Sequence, residues 1–209
     1  MSASETLGRV KQAYTTEGRE LAARLMGRVG RTGVTPNMLS ASGVILCTVG
    51  AVLVWFEYKA WWLFLVGSAV FVLGSIVDIL DGALARSQGL GTPFGAFVDS
   101  TLDRVGEGFM LTSIALVLMR DGDEWGVALA VLAVMGSFLV SYVRARAEAL
   151  GLRGDVGLSS RVERVVIISV GLAFAPLGSL PYVVAILAAS AWITVLQRIL
   201  FVRKQLRER

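Results

Sequence analysis

Six apolar stretches, each close to the length of a bilayer crossing, leave this chain few folds to adopt: residues 37–56, 61–81, 95–118, 125–145, 161–180 and 182–202. A hydrocarbon core takes roughly 20 mostly apolar helical residues per crossing. A helix satisfies its backbone polar groups internally, as that medium requires. The chain is 55% hydrophobic and only 17% charged, with a mean hydropathy of +0.69, too oily for a soluble domain of this size. The expected fold is all-α: a polytopic membrane protein with six transmembrane helices in residues 34–202 and a basic tail in 203–209. Residues 1–33 precede them, and within 4–30 Leu7, Val10, Tyr14, Leu21, Leu25 and Met26 alternate with arginines. That pattern suits an N-terminal amphipathic helix lying in the membrane interface, with a solvated basic leader as the plainer reading. This polar, basic leader, with no small-residue cleavage site, argues against a signal peptide.

Orientation follows from the basic residues. Arg9, Lys11, Arg19, Arg24, Arg28 and Arg31 precede the first stretch, and Arg203, Lys204, Arg207 and Arg209 follow the last. Arg144, Arg146, Arg153, Arg161 and Arg164 crowd the fourth connection, whereas the alternate connections hold only Lys59 and Arg120. Both termini are expected on the cytoplasmic side of the plasma membrane. The net charge of +4 then reflects topology and anionic lipid, and no aromatic-rich basic platform points to nucleic acid. The single Cys47 cannot form an intrachain disulfide. With no histidine in the chain, a metal site must rely on oxygen, which favours Mg²⁺ or Mn²⁺ over Zn²⁺.

Four aspartates interrupt this apolar background. Asp78 and Asp81 stand three apart in the second stretch and Asp99 and Asp103 four apart in the third, so each pair shares a helix face. The two stretches run in opposite directions through a short, glycine-rich connection, which puts all four acids at the cytoplasmic ends. Four carboxylates in contact repel one another and take up protons unless cations join them. Pairing each with a base such as Arg86 or Arg104 is the competing explanation. A cation or proton pathway is a third, although such acids usually sit near the midplane in repeated halves.

Written out, the spacing is D-x2-D-G-x2-A-R-x8-G-x3-D-x3-D, from Asp78 through Gly82, Ala85, Arg86 and Gly95 to Asp103. It resembles the signature of the CDP-alcohol phosphotransferase family at every specified position. Enzymes of that family move a phosphate-bearing group from a CDP-alcohol to a second alcohol, release CMP and use two divalent cations. The resemblance implies Asp78, Asp81 and Asp99 as metal ligands, with Asp103 touching the second metal and taking the proton of the incoming hydroxyl. It further implies a CDP-lipid site at Asn37, Met38, Leu39, Ser40, Gly82, Ala85, Arg86, Thr92 and Gly95. Gly82 would admit the nucleotide and Arg86 would clasp its diphosphate. Gly82 also suits a helix end, Asn37 a cap and Thr92 a turn. A homodimer is likewise implied.

The acceptor is read from the arginines of the fourth connection. Such a cluster suits an alcohol carrying its own phosphate, because arginine grips phosphate through two parallel bonds. Positive-inside topology alone accounts for some of them. The run SYVRARAEALGLRGD, with VERVV and QR further on, resembles the actinobacterial branch of the family that makes phosphatidylinositol phosphate. That likeness implies CDP-diacylglycerol as donor, inositol 1-phosphate as acceptor, and Ser141, Arg144, Arg146, Arg161, Arg164 and Arg198 around the acceptor phosphate. Arg144 stands where that branch familiarly has lysine. Glycerol 3-phosphate as acceptor, or an archaeal-type lipid as donor, fits the same residues.

Overall fold

A computed structural model of the chain describes residues 36–87 and 92–208, without the side chains of Pro36, Asn37 and 81–87. The expected interfacial helix lies outside the described residues. What is described is all helical: α1 (Pro36–Trp55), α2 (Leu63–Ser87), α3 (Pro93–Arg120), α4 (Glu124–Ala149), α5 (Arg161–Ala173) and α6 (Leu180–Arg207). Two short 3-10 turns, Phe56–Lys59 and Ala175–Leu177, join α1 to α2 and α5 to α6.

The boundaries have local causes. Pro36 supplies a fixed φ and no N–H at the first turn of α1. The Thr92 hydroxyl accepts from the Gly95 N–H at 2.9 Å, with Pro93 following, so α3 starts capped. Asp123 caps α4 in the same way through the Gly126 N–H at 2.8 Å. Gly178, at φ +77°, takes the left-handed turn that lets α6 begin.

Among the described residues, four helical segments are long and apolar enough to cross a membrane: Met38–Lys59, Leu63–Leu80, Glu124–Ala149 and Leu180–Arg207. The other two expected crossings differ for identifiable reasons. α3 is 28 residues long but carries Asp99, Asp103, Arg104 and Glu107 between its start and its middle. α5 has 13 residues, about 20 Å of helix, before Pro176 and the 3-10 turn interrupt it.

The helices close into a ring in the order α5, α2, α1, α3, α4, α6 and back to α5. Thus α1 lies between α2 and α3, and these two sequence neighbours are held together through it. The reason lies in small residues. A Cβ on Gly74 of α2 would come within 2.7 Å of the Gly43 carbonyl and 2.8 Å of Cys47 Sγ on α1. One on Gly50 of α1 would come within 2.8 Å of the Gly67 carbonyl, and one on Gly106 of α3 within 3.0 Å of Cys47 Cβ. Glycine at these places lets the backbones touch, which is how helices associate where no hydrophobic drive separates protein from lipid. The Ser113 hydroxyl of α3 adds a bond to the Ala51 carbonyl of α1 at 2.5 Å. Phe71, Met110, Leu111, Ile114, Ile168, Leu172 and Leu187 fill the interior, while Trp61, Trp125, Leu177 and many other large apolar side chains face outward, as a lipid-facing surface requires.

Gly74→Ala should therefore lower the midpoint of thermal unfolding in detergent, by the equivalent of about 1–3 kcal/mol. Gly108→Ala, whose Cβ would meet only the Phe138 ring edge at 3.3 Å, should change it much less. Equal shifts would show that the α1–α2 contact is not the tight one.

Candidate metal centre

Helical periodicity and the ring order bring the aspartates together at one end of the bundle. Asp78 is on α2, one turn beyond Gly74, and its Cβ would lie 3.2 Å from a Cβ on Gly43. The close approach of α1 thus buries it, to 4% exposure. Asp99 and Asp103 occupy successive turns of α3 and are partly buried. One carboxylate oxygen from each of Asp78, Asp99 and Asp103 can be chosen so that all three lie within 4.8 Å of one another. The side chains of Asp81, Ala85 and Arg86, beside Gly82, lie outside the described residues, as does that of Asn37.

Arg161, the first residue of α5, enters the cluster from the opposite side. Its Nη1 contacts Asp78 Oδ2 and lies 2.6 Å from Asp103 Oδ1. Asp78 Oδ1 is buried with no hydrogen-bond partner among the described residues. Three converging carboxylates, one with a buried oxygen still unpartnered, match the donor set of a hard divalent cation. On that observation the residues fit a metal site.

Asp99 and Asp103 also line an open cleft of about 890 Å³, with Ser100, Arg104, Ser141 and Arg144 on its walls. Arg144 is exposed and pairs with Glu148 at 2.9 Å. Arg146 is exposed and does not line the cleft. Arg164 and Arg198 are buried and bonded within the protein. Arg164 Nε and Nη2 donate to Glu107 at 2.6 and 2.9 Å. Arg198 donates to the Val156 and Val140 carbonyls at 2.8 and 2.5 Å. Sequence reasoning grouped six residues around an acceptor; the structure brings Ser141 and Arg144 to the cleft and Arg161 to the carboxylates, and uses Arg164 and Arg198 as internal ties. Near the start of α1, Met38 is exposed, Leu39 partly buried and Ser40 buried. Thr92 and Gly95 make the cap of α3.

Glu107 was not singled out from sequence. Its signal is there, since it extends the Asp99–Asp103 face by one further turn of α3.

A carboxylate-lined, cation-ready cleft at the end of a glycine-packed helical ring has close counterparts. Residues 33–195 match the sequence profile of the CDP-alcohol phosphatidyltransferases. A phosphatidylinositol phosphate synthase of Mycolicibacterium smegmatis is 35% identical, over 92% of this chain and 86% of its own length. An archaetidylinositol phosphate synthase of Pyrococcus horikoshii is 37% identical, over 86% of this chain and 91% of its own. The solved phosphatidylinositol phosphate synthase of Mycobacterium tuberculosis, at 30% identity, superposes with a TM-score of 0.79 with CDP-DAG bound, covering 88% of this chain and 94% of that one. In complex with manganese and citrate the TM-score is 0.77, covering 87% and 88%. The chain belongs to the CDP-alcohol phosphatidyltransferase family and is a transferase of phospholipid biosynthesis.

Asp78→Asn should weaken Mn²⁺ binding by more than about tenfold, the lower end of what losing even an outer partner of a metal site costs. Electron paramagnetic resonance of free Mn²⁺ in a titration of the purified protein measures this directly. Unchanged affinity would remove Asp78 from the ligand set.

Proposed function

We propose that this protein transfers the phosphatidyl group of CDP-diacylglycerol to inositol 1-phosphate, giving phosphatidylinositol phosphate and CMP. The observation that carries the proposal is Arg161, a phosphate-gripping side chain leading directly into the carboxylate cluster at Asp78 and Asp103. Arg144 on the cleft wall adds a second cation beside Asp99 and Asp103. An acceptor that brings its own phosphate makes chemical sense of both. The names of the relatives at 35% and 37% identity support the same acceptor class.

Asp78, Asp99 and Asp103, with Asp81 from the motif, would hold two divalent cations, Mg²⁺ or Mn²⁺. When bound, such ions supply positive charge to the phosphoryl oxygens as charge develops there. The remaining work falls to this chain's own groups. Asp103 is the base: its carboxylate takes the proton of the acceptor hydroxyl. The hydroxyl oxygen bonds to the lipid-linked phosphorus, the diphosphate P–O bond breaks, and CMP leaves with that bonding pair. Arg161 and Arg144 hold the acceptor phosphate, so the attacking oxygen is presented in line rather than by diffusion. Met38, Leu39, Ser40, Thr92 and Gly95, together with Asn37, Gly82, Ala85 and Arg86, form the CDP-lipid side. Ser141 joins the acceptor side; Arg146 adds positive charge at the nearby surface, while Arg164 and Arg198, bonded within the protein, lie behind that side without touching the acceptor phosphate.

The protein spans the membrane six times with both termini and the cleft on the cytoplasmic side, a reading supported by the basic residues of the fourth connection and the tail. The family pattern supports a homodimer. The archaeal relative favours one alternative, the same transfer from an archaeal-type lipid donor.

CMP release by the purified protein in detergent, with CDP-diacylglycerol, Mn²⁺ and single acceptors, tests the proposal. Turnover with inositol 1-phosphate alone is expected. Turnover with glycerol 3-phosphate alone would keep the aspartate chemistry and defeat the acceptor assignment. Asp103→Asn should reduce turnover by at least about 100-fold, within the range for a positioned base, with CDP-lipid binding largely retained. Equal loss of binding would argue against its being the base. Arg161→Ala should raise the acceptor KM by about tenfold or more, the scale of a lost charge-assisted bond. The donor KM should move far less. An unmoved acceptor KM would count against the arginine's role.

A further inference from the structure

One turn deeper than Arg161, the bundle holds a second ion pair that no step of the transfer uses. Glu107 is four residues beyond Asp103 on α3, and Arg164 is three beyond Arg161 on α5. The Arg161–Asp103 and Arg164–Glu107 pairs therefore stack as two rungs between the same two helices. The deeper rung is closed off from solvent, with Glu107 and Arg164 each 4% exposed. Its bonding is complete on the glutamate: Arg164 donates to both oxygens at 2.6 and 2.9 Å, and the Ser137 hydroxyl of α4 donates to Oε1 at 2.7 Å. Arg164 Nη1 also donates to the Ser159 carbonyl at 3.1 Å, in the segment that leads into α5.

A buried, fully bonded pair is a costly way to gain stability, because apolar side chains of similar size often serve as well or better. What it supplies is fixed geometry, since a bidentate fork tolerates little rotation. α5 needs such a constraint at its start. The helix has only 13 residues, and its N-cap Ser160 makes no side-chain bond to the helix backbone, its hydroxyl donating instead to the Glu163 carboxylate within the same turn. Arg161 projects from that same turn, which Ser160 and Glu163 close only on themselves, with no tie of their own to another helix among the described residues.

We propose that Glu107 is a positioning residue of the transfer reaction: through Arg164 it fixes the first turn of α5 and so holds Arg161 at the carboxylate cluster. The proposal rests on the acceptor reading above. Ser137 serves the same end from α4, by locking the glutamate's orientation.

A double-mutant cycle tests this on the purified full chain, with CDP-diacylglycerol, Mn²⁺ and inositol 1-phosphate. Glu107→Gln should raise the acceptor KM about tenfold, a scale consistent with misplacement of a positioning group by less than 1 Å. The donor KM should stay within about twofold. In the Arg161→Ala background the same change should add less than about twofold, since residues acting through one another are not additive. Full additivity, or an equal rise in both KM values, would overturn the proposal and leave Glu107 a part of the scaffold. Should Glu107→Gln not fold, Arg164→Lys keeps the buried charge but loses the fork. It should raise the acceptor KM while holding its thermal midpoint, and an unmoved KM would overturn the proposal. Turnover with glycerol 3-phosphate in place of inositol 1-phosphate defeats the acceptor assignment only. The same cycle run on that acceptor then decides the role of Glu107.

Discussion

The contact of Arg161 with Asp78 and Asp103 is the interaction on which the rest of the site depends. A carboxylate buried as deeply as Asp78 is expensive beside a bilayer unless a cation shares its surroundings. In this fold that cation comes from another helix: Arg161, at the start of α5, contacts Asp78 and Asp103. α5 therefore begins beside the Asp78 turn of α2. The same economy makes the cluster receptive to divalent ions, which supply the positive charge more compactly than one guanidinium can.

Backbone proximity is the second requirement. Asp78 and Asp103 come from helices that are neighbours in sequence but are joined in space through α1. Gly43, Gly50, Gly67 and Gly74 let α1 and α2 touch, and Gly106 opposite Cys47 does the same for α1 and α3. The far end is fixed differently. Arg120 bonds Glu57 at 2.5 Å and the Trp55 carbonyl at 3.1 Å while lying over the Tyr58 ring at 4.4 Å. Tight apolar packing along the helices and a polar lock at one end leave the other end free to be a cleft.

The arginines divide by burial. Arg144 lines the cleft and Arg161 contacts the aspartates, whereas Arg198 donates to the Val140 and Val156 carbonyls. Together with the Thr194 hydroxyl, which accepts from the Ser159 N–H at 3.0 Å, and the Gln205 amide, which bonds both backbone groups of Arg153 at 3.0 and 2.8 Å, it ties the 150–160 segment to α6. Gly157 belongs to the same clamp. Its φ of +127° and a would-be Cβ 2.3 Å from Thr194 Cγ2 exclude any side chain there.

Much of this was legible in the chain itself. Apolar runs of fixed length dictate helices, because length and backbone satisfaction in lipid depend on local sequence alone. The Asp99–Asp103 face and the Asp78 motif were legible for the same reason: helical periodicity converts spacing directly into a shared side. Where α5 ends was not, since a 13-residue helix followed by Pro176 reads, in hydropathy, as one continuous run to residue 180. Nor could composition tell an arginine that meets the aspartates from one bonded deeper inside the bundle. Arg161 and Arg164 stand three residues apart with the same chemistry, and only the ring order of the helices gives one the aspartates and the other Glu107. Sequence determined which elements exist and which faces carry charge, because those are local properties. The tertiary structure decided which charges meet, because that depends on how closely distant backbones can approach.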